Sequence, residues 1–244
     1  MKHLLFFLIT ALLIQAFGPS TAIATPEEGA RLVEINYPID VYAPYKERRR
    51  TYGANFGIHL ENYVPGRWES LIDSEYYENS YGKTPISLTS IEAGYKYNFV
   101  LGSVSFMGGI GYGEATTTFL GASRVMGVYK YFGRGMYALD NLLPEPYIVP
   151  YVAGSIWQMR IKESETGSSD GGTVTTGIGF DYSFGALIQL NWMDPDLATQ
   201  TLNENGIQNT YLDIFATQYL KTLKKADSSL ASNFILGLGL RLEF

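Results

Sequence analysis

The stretch Phe234 to Phe244, F-I-L-G-L-G-L-R-L-E-F, decides the predicted fold. Leucine or phenylalanine occupies every second position, and isoleucine, glycine, arginine and glutamate occupy the positions between them. Successive side chains of a β-strand point to opposite faces, so one face of this strand is wholly apolar while the other is mostly small or charged. In a transmembrane β-barrel, the apolar face of each strand meets lipid and the other face lines the lumen. The stretch therefore predicts a strand that spans a membrane as part of a barrel.

Residues 1–24 carry the pattern of a secretory signal peptide. Lys2 and His3 give a short basic start, residues 4–17 are an almost unbroken apolar run, and Ala22-Ile23-Ala24 supplies the small residues of a cleavage site. The run is shorter than the roughly 20 residues that a spanning helix needs, so we expect cleavage after Ala24 and not an uncleaved helix. Because no other segment is long and apolar enough for a spanning helix, a membrane protein exported by this signal must be a closed barrel.

The alternation recurs through residues 51–244, which we interpret as one all-β domain, a transmembrane antiparallel up-and-down β-barrel. Its runs have about the 9–11 residues that a tilted spanning strand requires. Eight strands are predicted, at Tyr52–Tyr63, Ile86–Phe99, Ser103–Thr118, Arg124–Phe132, Tyr147–Lys162, Thr173–Tyr182, Gly185–Met193 and the C-terminal stretch. The preceding residues 25–50 are predicted to form a periplasmic extension or a segment tucked into the barrel mouth.

The segment from Asp194 to Ser232 does not continue this pattern simply. Apolar residues within it recur at the spacing of one helix face, at Leu212, Phe215, Tyr219 and Leu223. We therefore predict an amphipathic helix at Thr210–Lys225 within a long outer loop. A hairpin of two further strands is the alternative, and it would give a barrel of ten strands.

Composition excludes several classes of function. The formal net charge is −6, and removing Lys2 with the leader makes it more negative, which is not the basic footprint of a nucleic-acid-binding protein. Cysteine is absent, so the chain has no disulfide and no cysteine-based metal site. His59 is the only histidine outside the leader, which excludes a site of several histidines. We expect no bound metal and no cofactor.

Charged residues fall on the inward parity of the predicted strands and form a polar network in the lumen. For Tyr147–Lys162, the assignment places Tyr151, Ala153, Trp157, Met159 and Ile161 toward lipid and Gln158, Arg160 and Lys162 inward. Besides Lys162, the predicted lumen residues are His59, Glu61, Glu92, Lys96, Arg124, Lys130, Arg160, Asp181, Arg241 and Glu243. Eight-stranded barrels have interiors filled by side chains, and buried charges must be paired, so we interpret the set as a structural ion-pair plug. A narrow or gated polar path is the alternative.

His59 is the residue that a catalytic role would use. Glu61, Glu92 and Ser90 share its parity, and a histidine base needs such an acid and nucleophile within hydrogen-bond reach. Outer-membrane lipid A deacylases and acyltransferases resemble this chain in size and topology and use histidine with serine. The deacylase pattern, a histidine two residues before Ser-Asn, is absent here, since His59 is followed by Leu-Glu-Asn. We therefore expect no enzyme activity and a histidine hydrogen-bonded in the lumen.

Over Tyr52 to Phe244 the chain resembles the small bacterial outer-membrane barrels of the OmpA-barrel, OmpX and OmpW type. The resemblance rests on the signal peptide, the strand parity, the contrast between the long segment 64–85 and the tight turn 100–102, and the terminal Phe. It implies an outer-membrane monomer in contact with lipid and lipopolysaccharide. It also implies an assembly signal, read by the barrel-assembly machinery, at Leu238, Leu240, Leu242 and Phe244.

We expect a structural, envelope-stabilising or surface-contact role for the barrel, because its predicted lumen is full and the catalytic motif is missing. The alternative, which follows from likeness to OmpW-type barrels, is a narrow channel for small or apolar solutes. A lipid A-modifying enzyme is the least favoured of the three functions.

Overall fold

The computed structural model describes residues 44–244 except 83, 120, 168–170, 226 and 228. The predicted signal peptide and most of the predicted extension lie outside the described residues. The strands are β1 (Tyr52–Tyr63), β2 (Ile86–Phe99), β3 (Gly102–Phe119), β4 (Ala122–Ala138), β5 (Ile148–Glu165), β6 (Gly171–Thr175), β7 (Gly179–Gln189), β8 (Asn209–Tyr219) and β9 (Ile235–Glu243). The helices are α1 (Tyr45–Arg48), α2 (Tyr77–Ser80) and α3 (Pro195–Asn205).

The strands close into a barrel in which every pairing is antiparallel. Consecutive strands pair along the sheet, and β9 returns to pair with β1, for example Leu240 with Ile58. Both β6 and β7 pair with β5, at Arg160–Ser164 and Ile148–Trp157 respectively, so they are two segments of one barrel position. The barrel described here therefore has eight strand positions, which confirms the predicted fold class and excludes the ten-stranded alternative.

Two predictions between β5 and β9 are wrong. The predicted turn near Ser183 is instead the middle of β7, and the predicted helix Thr210–Lys225 is instead β8 and the loop that follows it. Phe215 and Tyr219 are four residues apart, a spacing that puts two side chains on one face of a helix and also on one face of a strand. The helical spacing therefore did not discriminate between the two.

The helix of this region lies earlier in the chain, at α3. The Asp194 side chain caps it by accepting a hydrogen bond from the Leu197 N–H at 3.0 Å, with Pro195 in the first turn. Gly206 ends it in the left-handed conformation, at φ 70°. We call the barrel end with Tyr52 and Glu243 the proximal end and the opposite end distal. Because α3 connects β7 to β8 it lies at the proximal end, not in the outer loop that was predicted.

The outer face of the barrel is apolar around its circumference. Exposed side chains on it come from every barrel position and include Ile58, Tyr95, Phe106, Ile110, Tyr131, Val152, Ile156, Phe184, Ile214, Leu236, Leu238 and Leu240. A water-soluble protein rarely leaves so large a continuous apolar surface exposed. The helices found among the described residues all lack the length and apolarity that a bilayer crossing requires.

The interior of the barrel is also apolar at the distal end. The β5 side chains that face this interior are the ones predicted to face lipid, so the predicted parity of β5 is wrong. The buried residues of the distal interior, which we call the apolar plug, are Tyr63, Trp68, Tyr77, Tyr81, Ile86, Leu88, Ala115, Met126, Val128, Trp157, Met159, Ile161, Tyr219 and Leu230. Tyr151 and Ala153 also face inward, whereas Arg160 and Lys162 are exposed on the outside. Residues 148–157 are largely apolar on both faces, so apolarity alone does not set their parity. Beyond Ile156 the strand leaves the apolar band, and there the interior is packed and the exterior is polar.

Candidate functional site

Five charged or titratable side chains meet half-way along the barrel interior. We call them the central cluster: His59, Glu92, Arg134, Asp213 and Arg241. Arg241 Nη2 lies 2.9 Å from Glu92 Oε1 and 3.0 Å from Asp213 Oδ2, so one guanidinium pairs with two carboxylates. His59 Nε2 lies 3.2 Å from the same Asp213 oxygen, and Arg134 Nη1 lies 3.5 Å from Glu92. The cluster therefore holds its carboxylates fully buried but paired.

Two glycines leave the space that these large side chains occupy. The strand register places Gly57 directly opposite Glu92 on β2 and Arg241 on β9, and places Gly239 opposite His59. A Cβ at Gly239 would lie 2.3 Å from His59 Cδ2, and one at Gly57 would lie 2.9 Å from His59 Cε1. These separations are shorter than any ordinary contact, so side chains at the two positions would displace the imidazole.

A second group, the Lys130 cluster, lies between the central cluster and the apolar plug. Lys130 Nζ donates to the Tyr219 hydroxyl at 2.6 Å and lies 3.6 Å from both Glu61 and Asp181. The Tyr219 hydroxyl in turn donates to the Glu61 carboxylate. The ammonium also lies 4.8 Å from the centre of the Phe132 ring, within the range of a cation–π contact.

The third group, the mouth cluster, closes the proximal end. Lys96 Nζ lies 2.6 Å from both Glu243 Oε1 and Asp140 Oδ2. Tyr45, on α1, is fully buried and donates its hydroxyl hydrogen bond to Glu243, while Arg49 pairs with Asp140 at 3.1 Å. Tyr45 and Arg49 therefore reach from the residues before β1 into the proximal mouth, while Lys46, Glu47 and Arg50 are exposed.

The eleven residues predicted for the lumen divide clearly. Eight lie in the three clusters: His59, Glu61, Glu92, Lys96, Lys130, Asp181, Arg241 and Glu243. Arg124 is buried at the distal mouth, where it pairs with Asp73 and Glu165. Arg160 and Lys162 lie on the outer surface, so their predicted places in the lumen are wrong.

Sequence reasoning missed several residues of the clusters, among them Tyr45, Arg134, Asp140 and Asp213. Arg134 and Asp140 fall between the predicted strands Arg124–Phe132 and Tyr147–Lys162, and Asp213 falls in the predicted helix. Arg134 does lie an even number of residues from Lys130, which was the available signal for its inward parity. Tyr45 had no strand pattern to place it.

Two small cavities lie among these clusters. A cavity of about 20 Å³ lies between the central and Lys130 clusters, and one of about 10 Å³ lies at the mouth cluster. Each has room for about one water molecule. The hydroxyls of Ser90 and Thr217 line the larger cavity and have no hydrogen-bond partner among the described residues, so they are the groups that such a water would contact.

The clusters do not form a recognisable catalytic or metal centre. His59 shares the larger cavity with Ser90, but its Nε2 lies within hydrogen-bond distance of Asp213 Oδ2 and Arg241 Nη2. Within the described part of the chain, no three His, Cys, Asp or Glu side chains converge as metal ligands would. The arrangement neutralises buried charge and fills space.

At the distal mouth, an ion pair ties the long β1–β2 loop to β4. Arg124 Nη1 lies 2.7 Å from Asp73 Oδ2, and Asp73 also accepts from the Glu75 N–H at 3.2 Å. Burial acts to raise the pKa of the Asp73 carboxyl, but the Arg124 hydrogen bond, the Glu75 N–H and the Arg124 charge leave that pKa below its ordinary value.

Protonation of Asp73 is expected to loosen this loop. Because the folded-state pKa is lowered, the pair contributes its full stability above about pH 4 and loses it as the pH falls through the folded pKa. The pair is partly exposed, so its contribution is at most about 1 kcal/mol, or about fivefold in amide protection. Hydrogen exchange of residues 69–76, corrected for intrinsic rates, checks this between pH 6 and pH 2. Asp73→Asn is expected to abolish the pH dependence, and the exposed Glu69→Gln to keep it.

Comparison with known proteins finds relatives only in structure. No protein-family model and no curated protein matches the chain. Neisserial surface protein A is 11% identical over 80% of this chain and 98% of that one, with a TM-score of 0.46. The N-terminal β-barrel domain of Pseudomonas aeruginosa OprF is 11% identical over 80% and 98%, with a TM-score of 0.38. Ail of Yersinia pestis is 12% identical over 79% and 97%, with a TM-score of 0.39.

The closed circuit of eight antiparallel strand positions is the deciding observation. The fold is that of the small outer-membrane β-barrels. At TM-scores below 0.5 the individual neighbours add no argument about function, so the role of this barrel has to come from its own outer face and interior.

Proposed function

We propose that the chain is an integral protein of the bacterial outer membrane and that its barrel is a closed, non-enzymatic, structural or surface-contact protein of the cell envelope. The filled lumen is the observation that carries the proposal. Three paired charge clusters and the apolar plug follow one another along the interior, and the two cavities between them hold about one water each. A solute path would require several of these contacts to break together.

Membrane insertion is supported by the outer face. The exposed apolar band needs a non-aqueous partner, and a closed barrel has no unpaired strand edge to exclude it from lipid. Exposed tyrosines mark both borders of the band, as in the aromatic girdles of outer-membrane barrels. These are Tyr52, Tyr95 and Tyr97 on the proximal side and Tyr112, Tyr129, Tyr131 and Tyr182 on the distal side.

The partners that follow are lipid, lipopolysaccharide and the barrel-assembly machinery. Leu238 and Leu240 point outward from β9, where another protein or lipid can contact them. Leu242 is half-buried, and Phe244 exchanges backbone hydrogen bonds with Ala54 at the closing seam. A single chain closes its own sheet, so a monomer is sufficient for the proposed role.

Conductance of the refolded mature protein in a planar bilayer tests the proposal. We expect a silent membrane, with folding checked by a heat-dependent gel shift and detection checked by adding a conducting porin afterwards. Discrete steps would contradict the closed lumen and favour the narrow channel. Steps that change in Lys96→Met but not in Arg160→Met would then place the path inside the barrel, because only Lys96 faces inward.

Lipid A modification has less support. His59 is only 3% exposed and faces the central cluster, so a lipid on the outer face cannot reach its imidazole without passing the barrel wall. Mass analysis of lipid A from cells with and without the protein is expected to give the same profile. A difference that disappeared in His59→Ala would overturn the non-enzymatic assignment.

A further inference from the structure

The basic residues of the strands divide into two groups. Those that face inward are each ion-paired: Lys96, Arg124, Lys130, Arg134 and Arg241. The other two, Arg160 and Lys162, point outward from β5 and are exposed. Neither makes an ion pair with any residue that the structure describes. Since the other described strand cations are all ion-paired, Arg160 and Lys162 are the two that are available to bind an anion.

Three of the four residues paired directly with the two cations carry hydroxyl groups, and the fourth is Gly127. The register places Thr175 of β6 and Tyr129 of β4 directly opposite Arg160, on the same outer face. It places Thr173 of β6 opposite Lys162, and both threonines are exposed. We call these five residues the β5 cation patch. Two positive charges beside hydroxyl donors are the chemistry that binds a phosphate group.

The patch lies just beyond the distal edge of the apolar band. Ile156 and Val152 precede Arg160 on the same outward face, and both are exposed. Arg160 lies four positions after Ile156, so the two residues are roughly 10 Å apart along the axis of a barrel whose strands tilt by about 40°. Tyr129, at the level of Arg160, belongs to the distal girdle. In a bilayer the two cations would therefore reach the depth of the lipid headgroups.

The identity of the anion follows from this position. The chain has a net charge of −6, so it does not attract anions over long distances. Arg160 and Lys162 would therefore bind an anion only if other contacts kept that anion close to them. Acyl chains held against Val152 and Ile156 would place a lipid phosphate at the patch. Arginine binds phosphate through two parallel hydrogen bonds, and lysine adds a point charge.

Outer-membrane barrels carry their longer loops on the extracellular side, and the long β1–β2 loop lies at the distal end. We propose that Arg160 and Lys162 form a binding site for the phosphate of an outer-leaflet lipid, namely the phosphorylated lipid A of lipopolysaccharide. The site rests on the proposed outer-membrane location and gives that location a specific lipid contact. Thr173 and Thr175 donate further hydrogen bonds to the phosphate, and Tyr129 packs beside the headgroup. The distal end of β5 thereby fixes one lipid molecule at one side of the barrel.

Native mass spectrometry of the full mature chain, refolded in detergent, tests the site. The probes are bisphosphorylated lipid A, the same lipid A with both phosphates removed, and sodium phosphate. The double variant Arg160→Gln, Lys162→Gln is compared with Lys221→Gln, Lys225→Gln, a matched loss of two exposed cations in the distal β8–β9 loop. A basic residue near an anionic lipid surface contributes about fivefold in affinity, so the patch variant is expected to bind bisphosphorylated lipid A roughly 25-fold more weakly.

The loop variant is expected to bind as the unchanged protein does, and dephosphorylated lipid A to bind both proteins equally weakly. Equal affinity of the patch variant and the unchanged protein would overturn the site, and so would an equal loss in the loop variant. Saturation by sodium phosphate at the same concentration as lipid A would identify a free-anion site instead. The gel shift and the bilayer recording test the proposed function separately, since both are independent of these exposed cations.

Discussion

Arg241→Met is expected to lower the unfolding free energy of the barrel by about 3–5 kcal/mol. Its guanidinium is fully buried and pairs with Glu92 and Asp213, whose side chains are also fully buried. Removing the guanidinium leaves Asp213 with only His59 and Tyr151 as hydrogen-bond donors, and leaves Glu92 with Arg134 at 3.5 Å. Two carboxylates would then share too little positive charge in a medium that solvates them poorly.

Urea-dependent folding into phosphatidylcholine vesicles, followed by the heat-dependent gel shift, measures this loss. Arg160→Met is the matched control, because it removes the same side chain from the outer surface. In zwitterionic vesicles it is expected to change stability by less than about 0.5 kcal/mol. Equal effects of the two substitutions would contradict the assignment of one arginine to the interior and the other to the exterior.

Trp157→Ala is expected to lower the unfolding free energy by about 3–5 kcal/mol. The indole is 1% exposed and lies at the centre of the apolar plug, with its ring 5.6 Å from that of Tyr219 in an edge-on contact. A Cβ at Gly179 would lie 2.3 Å from the indole, so the neighbouring backbone is already in contact with the ring. Such a site cannot collapse to fill the space of the lost side chain.

The same vesicle assay checks this prediction, with tryptophan fluorescence of the remaining indoles as a second signal. Trp192→Ala is the matched control, since that indole is 59% exposed at the proximal end. We expect it to cost at most about 1 kcal/mol. A loss of that small size for Trp157→Ala would restore the outward orientation that its sequence pattern predicted.

The sequence was sufficient for the architecture because lipid imposes a strict rule on the spanning part of a strand. In β1, β2 and β9 one face is apolar and the other carries glycine or charge, so the inward positions of His59, Glu92 and Arg241 could be read directly. The rule holds only within the apolar band. Where β5 extends beyond the band, its inward face is apolar and packed and its outward face is polar. Trp157 therefore faces inward and Arg160 outward, the opposite of what was predicted.

The candidate site was less predictable because its contacts are long-range. Asp213 joins the central cluster only if its segment is a strand, and the spacing of Phe215 and Tyr219 fits a helix equally well. Tyr45 reaches Glu243 across 198 residues of chain, from a segment with no alternation of its own. Pairing of this kind depends on barrel closure, which no local pattern encodes.

The central cluster is built from five different strands, so the neutralisation of its charges depends on the order in which the strands assemble. Its members come from β1, β2, β4, β8 and β9, and the contact between Arg241 and Glu92 spans 149 residues. Contacts so distant in the chain form late, after the intervening loops have been closed. Until β9 joins β1 and β8, the carboxylates on β2 and β8 lack their main counter-ion and favour a hydrated, open sheet. Docking of β9 therefore completes the hydrogen-bonded wall and removes the electrostatic obstacle to a dry interior in a single cooperative step.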